Sequence, residues 1–247
     1  MLRCERLRKS FGGVLALDDV TLQFPLAGLV AIIGPNGAGK TTLFHVLSGF
    51  LRPDAGRCFL GQRDITGCPP YWVAGLGLGR TFQDLRLISQ MTVMDNVLVA
   101  RPRQRGEKLI TSLLPFTFAA EEQTNRSIAM DYLKYVGLAG KASDAAADLS
   151  YGEQKLLSIA CCLATEAQAL LLDEPIAGVH PEIANRILHL LIDLRTRGKL
   201  IIFIEHDLQA VVEGSELAVA MDHGRVVAQG EPKEVIARRE IMEAYVG

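Results

Sequence analysis

The sequence contains no apolar stretch approaching the roughly 18 residues that a membrane-crossing helix needs. Its apolar runs, such as residues 169–172 and 200–204, are short and bounded by charge, as buried strands are. No apolar run lies near the start either, where Arg3, Glu5 and Arg6 stand, so no secretory leader is expected. Net charge is only −2, which supplies no global field toward nucleic acid or an acidic surface. The five cysteines are odd in number and lack metal-like spacing. Cys161 and Cys162 fall on an apolar helical pattern, where a thiol packs as a small hydrophobe. A cytosolic, reducing setting is therefore expected. There is no internal repeat and no low-complexity tail.

What is present is an ordinary globular composition, 49% apolar and 22% charged, in a 247-residue chain long enough for one large domain with an inserted lobe. Val20, Leu22 and Phe24 alternate with polar neighbours, predicting a half-buried strand. Residues 29–33 are wholly apolar, as in an interior strand of a parallel sheet. A glycine-rich turn over 34–39 follows, and then Leu43, Val46 and Leu47 recur at helical spacing. Strand, glycine turn and helix make one βα unit. Two further buried strands are predicted at 169–172 and 200–204. Between them lies a helix that starts at Pro181, carries Ile187, Leu188, Leu191 and Leu194 on one face, and stops near Gly198. Alternating strands and helices define an α/β sheet. From Asp84 to Leu149 the pattern is different: a helix over 121–136, broken by Gly137 and Gly140, a basic surface loop over 101–108, and no interior strand. A mostly helical lobe thus interrupts the α/β core. The chain after Val226 reads as a strand, a turn at Gly230-Glu231-Pro232 and one or two short helices.

Gly34-Pro35-Asn36-Gly37-Ala38-Gly39-Lys40-Thr41 matches the P-loop pattern G-x-x-x-x-G-K-[ST]. Its glycines let successive N–H groups point into one concavity, and the helix that follows adds the positive end of its dipole, so phosphate is favoured there. Lys40 is placed to bridge the β- and γ-phosphates and Thr41 to ligate Mg²⁺ through its hydroxyl, with Thr42 beside it. The metal needs a carboxylate from a neighbouring strand, and Asp173 ends the run Leu170-Leu171-Leu172. Mg²⁺ keeps several of its waters, so one carboxylate suffices. Adjacent residues diverge at a strand end, which allows Asp173 to face the metal and Glu174 an attacking water as general base. Without a P-loop, such a pair reads as two solvated carboxylates.

Two more segments turn a generic NTPase into a particular family. Leu149-Ser150-Tyr151-Gly152-Glu153-Gln154 resembles the signature motif of the ABC ATPases, and Ile204-Glu205-His206-Asp207 resembles their switch-histidine motif. Gln83, in Gly79-Arg80-Thr81-Phe82-Gln83, fits the Q-loop, with a share in the metal site. Phe11, about 30 residues before Lys40, fits the aromatic that stacks on adenine, although a core phenylalanine is an alternative. The resemblance covers essentially the whole chain. It implies a RecA-like core with an antiparallel β subdomain, approximately 1–83 and 160–247, and an inserted helical subdomain, approximately 84–159. It also implies that Ser150, Gly152 and Gln154 cap the ATP of a second chain, a homodimer mate or a sister subunit, while His206 and Glu174 hold the attacking water. Taken alone, Ser150 reads as a helix N-cap and His206 as a structural histidine.

Within that family the chain resembles the ATP-binding subunits of branched-chain amino-acid importers. Phe11-Gly12-Gly13, Gly79–Gln83, Met91-Thr92-Val93-Met94-Asp95-Asn96-Val97-Leu98-Val99-Ala100, Ala177-Gly178 and the ending Ala244-Tyr245-Val246-Gly247 carry the likeness. It implies ATP and Mg²⁺ as ligands, two transmembrane permeases, an external solute-binding protein reached indirectly, no nucleic acid, and a place on the inner face of the cell membrane. An exporter or lipopolysaccharide-extracting ATPase is the alternative inside the family. A soluble ABC ATPase acting on DNA or ribosomes is disfavoured by the lack of a coiled-coil insertion, a paired cassette or a basic stripe, and a binding-only module by Glu174 and His206. Leu85, Leu87, Ile88 and Met91 are expected either to face a permease or to pack inside the helical lobe. Two departures stand out: Tyr151 replaces the first signature glycine with Glu153 following, and His180, six positions after Glu174, replaces an Asp or Asn. His180 is a candidate pH-responsive group.

Overall fold

A computed structural model of the chain describes residues 2–102 and 119–246. From residue 103 on, the expected basic loop falls outside them, as does Gly247. The chain groups into two compact units, Met1–Gln83 with Gln168–Gly247, and Asp84–Ala167. The second unit ends beyond the expected boundary near 159, because the helix Tyr151–Ala164 is continuous and a cut at 159 would divide it.

The first unit holds two sheets. Strands β1 (Leu2–Phe11), β2 (Val14–Gln23), β4 (Ala55–Leu60) and β5 (Arg63–Asp64) form an antiparallel sheet in the order β2-β1-β4-β5. The predicted alternation is visible in β2 and just after it, where Val20, Leu22 and Phe24 are buried between exposed neighbours. The second sheet has the order β10-β9-β3-β8-β7-β6, from β3 (Gly28–Ile33), β6 (Leu78–Arg80), β7 (Ala169–Asp173), β8 (Leu200–Ile204), β9 (Leu217–Asp222) and β10 (Arg225–Gly230). All its pairings are parallel except β9 with β10. Every residue of β3, β7 and β8 is buried, which is why these strands read as unbroken apolar runs: both faces are covered. Helices α1 (Lys40–Leu47), α2 (Pro70–Gly75), α6 (Pro181–Thr196), α7 (Leu208–Gly214), α8 (Pro232–Ile236) and α9 (Arg239–Val246) complete the unit. α6 buries Ile187, Leu188, Leu191 and Leu194 as its spacing predicts, and Gly198 follows at φ +80.

The second unit is helical: α3 (Val93–Val99), α4 (Ala119–Val136) and α5 (Tyr151–Ala164), with no strand among its described residues. α4 is closed by Gly137 at φ +70. The run Met91–Ala100 has a legible internal logic. Thr92 caps α3 by accepting from the Asp95 amide at 3.0 Å. The buried Asn96 donates to the carbonyls of Ile88 (3.1 Å) and Thr92 (2.9 Å) and accepts from the Ile88 amide (2.8 Å), pinning the preceding segment to the helix. Cys162 is buried in α5 as expected, and none of the five cysteines forms a disulfide. Burial pushes the Cys4 thiol up to about 12, which keeps it protonated and inert.

Candidate phosphate-binding and catalytic site

Because β3, β7 and β8 are parallel neighbours, their carboxyl ends lie at one edge of the sheet, the edge where open α/β sheets bind ligands. Each is followed by a singled-out motif: 34–41 after β3, Asp173-Glu174 at the end of β7, and Glu205-His206 after β8. The next strand outward, β6, leads to Gln83.

The turn after β3 needs glycine at two positions for reasons visible in the structure. Gly34 has φ +145, and a Cβ there would land on the Met221 carbonyl. Gly39 has φ +97 at the N-cap of α1, and its Cβ would land on the Ala16 carbonyl. With both in place, the loop opens toward a cavity of about 350 Å³ lined by Asn36, Gly37, Gly39, Lys40, Thr41, Thr42, Gln83, Glu174 and His206. All nine were singled out in the sequence. Ala16 and Ala38 also line it. Ala16 gave no sequence signal, being a small residue in an antiparallel strand.

Lys40 is buried, and its Nζ donates to the carbonyls of Gly34 (2.6 Å) and Pro35 (2.9 Å). Burial lowers its pKa, opposed by the charges of Glu174 and Asp173. Glu174 sits at φ +49, a region a non-glycine residue adopts at a cost of order 1–3 kcal/mol, held there by its neighbours. Its Oε1 lies 3.2 Å from His206 Nε2. Asp173, by contrast, turns into the protein: it is buried, its amide donates to the Thr81 hydroxyl at 3.2 Å, and its Oδ2 meets Arg80 at 3.5 Å. The two carboxylates thus have different surroundings: Glu174 lines the cavity and Asp173 does not. Burial raises the Asp173 pKa, and Arg80 opposes that.

Sequence reasoning missed Glu205. It is buried, its Oε1 accepts from the Ile176 amide (2.9 Å) and its Oε2 from the His206 amide (3.3 Å). It therefore ties the segment after Glu174 to the base of His206. A carboxylate directly after five apolar strand residues was the available signal. Asp207 beside it caps α7, accepting from Gln209 and Ala210.

Phe11 stands apart from the cavity lining. It is 51% exposed at the end of β1, paired across the hairpin with Val14, so the core alternative does not hold. Gly34 is buried at the root of the loop. Ser150, Gly152 and Gln154 lie in the second unit, at the start of α5. Ser150 caps the helix in a capping box with Glu153: its amide and Oγ both donate to Glu153 Oε2, at 3.0 and 2.9 Å. Lys141 pairs with the other Glu153 oxygen at 2.8 Å. Gln154 turns its amide to the carbonyls of Ala146 and Leu149, bracing the loop before the motif. His180 is exposed at the N-cap of α6 and makes no side-chain cap there.

The donor set that the resemblance assigns to a divalent ion is oxygen only: the Thr41 hydroxyl and the Gln83 amide, which line the cavity, and the Asp173 carboxylate, which is buried beside Arg80 and is not among the lining residues. It suits Mg²⁺, a hard ion that leans on substrate phosphates.

A glycine cradle, a buried lysine and a carboxylate–imidazole pair at the carboxyl edge of a parallel sheet define a P-loop nucleotide-binding domain. The model of the family described as "ABC transporter" matches residues 17–177. The chain is 38% identical to the high-affinity branched-chain amino acid transport ATP-binding protein LivG of Salmonella typhimurium, covering 100% of this chain and 98% of that one. It is 35% identical to BraF of Pseudomonas aeruginosa, described in the same words, again over 100% and 98%. Among solved structures, a nucleotide-free ATP-binding cassette from an ABC transporter superposes with TM-score 0.88 at 33% identity over 100% of this chain and 99% of that one. The ADP conformation of MJ1267, an ATP-binding cassette of an ABC transporter, gives 0.87 at 34%, over 100% and 98%. The chain belongs to the ABC transporter family. It is an ATP-binding, ATP-hydrolysing subunit.

Proposed function

We propose that this chain energises the uptake of branched-chain amino acids or related small polar solutes, as a peripheral subunit on the inner face of the cell membrane. The observation that carries the catalytic half is the convergence of Lys40, Glu174 and His206 on one cavity, with Glu174 and His206 3.2 Å apart. The P-loop amides and Lys40 bind and orient the triphosphate. Lys40 gives up the Gly34 and Pro35 carbonyls to do so. Glu174 accepts the proton of the attacking water, and His206 exchanges its contact with Glu174 for a bond donated to the γ-phosphate. Thr41, Asp173 and Gln83 hold Mg²⁺, which neutralises charge on the phosphates when bound. Ser150 and Gly152 of a second chain, a homodimer mate or a sister subunit, close over the nucleotide, and Phe11 stacks on its adenine.

Transport follows from closure. No described helix is long and apolar enough to cross a membrane. Coupling to the membrane runs through permease partners. Gln83, the last residue of the first unit, lines the cavity and leads directly into Leu85, Leu87, Ile88 and Met91. Ile88 and Met91 are 40% and 38% exposed, and Leu85 and Leu87 are half-buried, which suits a socket for a permease loop. The named relatives support the solute class.

The test is ATP-driven uptake of labelled leucine into proteoliposomes holding this chain, its two cognate permeases and the binding protein. Uptake that needs ATP inside and is competed by isoleucine and valine is the expected result. ATP hydrolysis without uptake of any of the three removes the solute assignment, and solute efflux in place of uptake establishes the exporter alternative.

A further inference from the structure

Arg80 is a buried cation that the catalytic account above does not use. Its guanidinium donates to Ser48 Oγ at 2.8 Å and meets Asp173 Oδ2 at 3.5 Å, with both charged side chains almost fully enclosed. Three aromatic rings close around it: Phe82 at 4.9 Å from the guanidinium carbon to the ring centre, and Phe44 and Phe50 at 5.8 Å each. Phe50 and Phe82 themselves meet edge-to-face at 5.1 Å. Ser48 is the C-cap of α1, the helix the phosphate loop leads into, and its hydroxyl donates to the Phe44 carbonyl at 2.5 Å. The guanidinium therefore sits at the negative end of that helix, where a cation is favoured. It also reaches the end of β7. One planar group joins the back of the phosphate helix to the metal carboxylate, and rings on three sides fix its orientation.

Burying two charges is tolerated only where the geometry is good and other hydrogen bonds complete the shell. Here the Ser48 hydroxyl and three aromatic rings surround the guanidinium beside Asp173. The Arg80 guanidinium is thus the group that meets the Asp173 carboxylate at the end of β7.

We propose that Arg80 is a positioning residue of the metal site: it holds the Asp173 carboxylate in the orientation that receives Mg²⁺ and links that orientation to the phosphate helix through Ser48. The proposal rests on the nucleotide-site reading. It is built so that ATP binding without metal reports on that reading, and metal dependence reports on Arg80.

The experiment compares wild type with Arg80→Met, Arg80→Lys and Ser48→Ala. Fluorescent ATP analogue binding is measured in EDTA and then across a Mg²⁺ titration, and Mn²⁺ binding to the ATP complex is followed by electron paramagnetic resonance. Groups that orient a metal ligand typically govern metal affinity by 10–100-fold. The expected result is a Mg²⁺ midpoint raised at least about tenfold in Arg80→Met and several-fold in Ser48→Ala, with affinity in EDTA within about twofold of wild type. Arg80→Lys restores part of the shift, because it keeps the charge and loses the fork. In an Asp173→Asn background, Arg80→Met should add little further shift. An unchanged Mg²⁺ midpoint in Arg80→Met, or an equal fall in binding with and without metal, overturns the proposal. If Arg80→Met does not fold, Ser48→Ala and Arg80→Lys decide by the same two criteria. Loss of ATP binding by wild type in EDTA and in Mg²⁺ alike would instead remove the underlying site reading.

Discussion

The Glu153→Gln substitution tests the cap of α5 as a site for a second chain's nucleotide. In the structure the anion-binding groups of that helix tip already hold an anion. Glu153 Oε2 receives the Ser150 amide at 3.0 Å and the Ser150 hydroxyl at 2.9 Å. A phosphate arriving from a partner must take these two donors from the carboxylate. Charge-assisted hydrogen bonds are worth about 1.5–3 kcal/mol when buried, and less at a tip this open. About 0.5–1 kcal/mol each is a fair scale here, or about 1–2 kcal/mol to be surrendered on closure. The glutamine side chain keeps a neutral acceptor and so holds the donors roughly half as strongly. The ATP concentration for half-maximal dimerisation should therefore fall by about 2–5-fold. The weaker cap also lowers the melting temperature by roughly 1–2 °C, from about 0.5 kcal/mol in a chain of this size. Lys141 holds Glu153 below the ordinary carboxylate range, with help from Ser150. The carboxylate contact is thus complete above the unfolded pKa and is lost only as pH falls through the lowered folded one, so at neutral pH the substitution is what removes it. The assay is light scattering against ATP concentration in a Glu174→Gln background, with calorimetry alongside. A melting temperature that falls while the dimerisation midpoint stays put or rises would refute the reasoning.

Glu174→Gln itself should lower kcat by at least about 100-fold and leave ATP affinity within about threefold, giving a stable ATP-bound dimer. A variant that stays monomeric in saturating ATP and Mg²⁺ contradicts the sandwich. Glu205→Gln keeps the shape but weakens the grip on the Ile176 and His206 amides. It should reduce kcat by about 3–30-fold with KM for ATP little changed, as for a mispositioned base. A pure rise in KM speaks against that. His180→Asn should change the shape of the ATPase pH profile, as the side chain stands exposed at the start of α6. Superimposable profiles for the two proteins would show that the exposed His180 has no such part.

The parallel core was legible because its strands are covered on both faces. β3, β7 and β8 have no solvent side, so their residues have no reason to alternate, and unbroken apolar runs of this length are hard to read otherwise. The antiparallel sheet was not legible from its own residues beyond the end of β2. β1 carries Arg3, Glu5, Arg6, Arg8 and Lys9 and bends through several register shifts, with Arg6 at φ +49, so period-two burial is lost along it. Only the family resemblance supplied it. At the site, the residues with special chemistry or backbone were visible, and those acting through a buried contact were not. Arg80 was quoted within a motif without a role, and Glu205 within another. A side chain that works by touching Asp173 or the Ile176 amide leaves no spacing signal, because its partner is distant in sequence.

The cavity groups satisfy one another, and this shapes how a ligand can act on them. Lys40 is bonded to the carbonyls of its own loop, and Glu174 to His206. A triphosphate does not meet unpaired charges here; it exchanges partners with them, so the net gain per contact is the difference between two hydrogen-bonded states. Such exchanges are individually small, and their sum depends on several being made at once. Lys40 follows the loop after β3, Glu174 stands at the end of β7 and His206 at the end of β8, and Glu205 ties the last two through the Ile176 and His206 amides. A ligand that re-pairs Lys40 alone therefore gains little. One that also draws Glu174 and His206 into new bonds moves both sides of a linked pair. On this argument the switch between resting and catalytic arrangements belongs to the γ-phosphate rather than to the nucleotide as a whole.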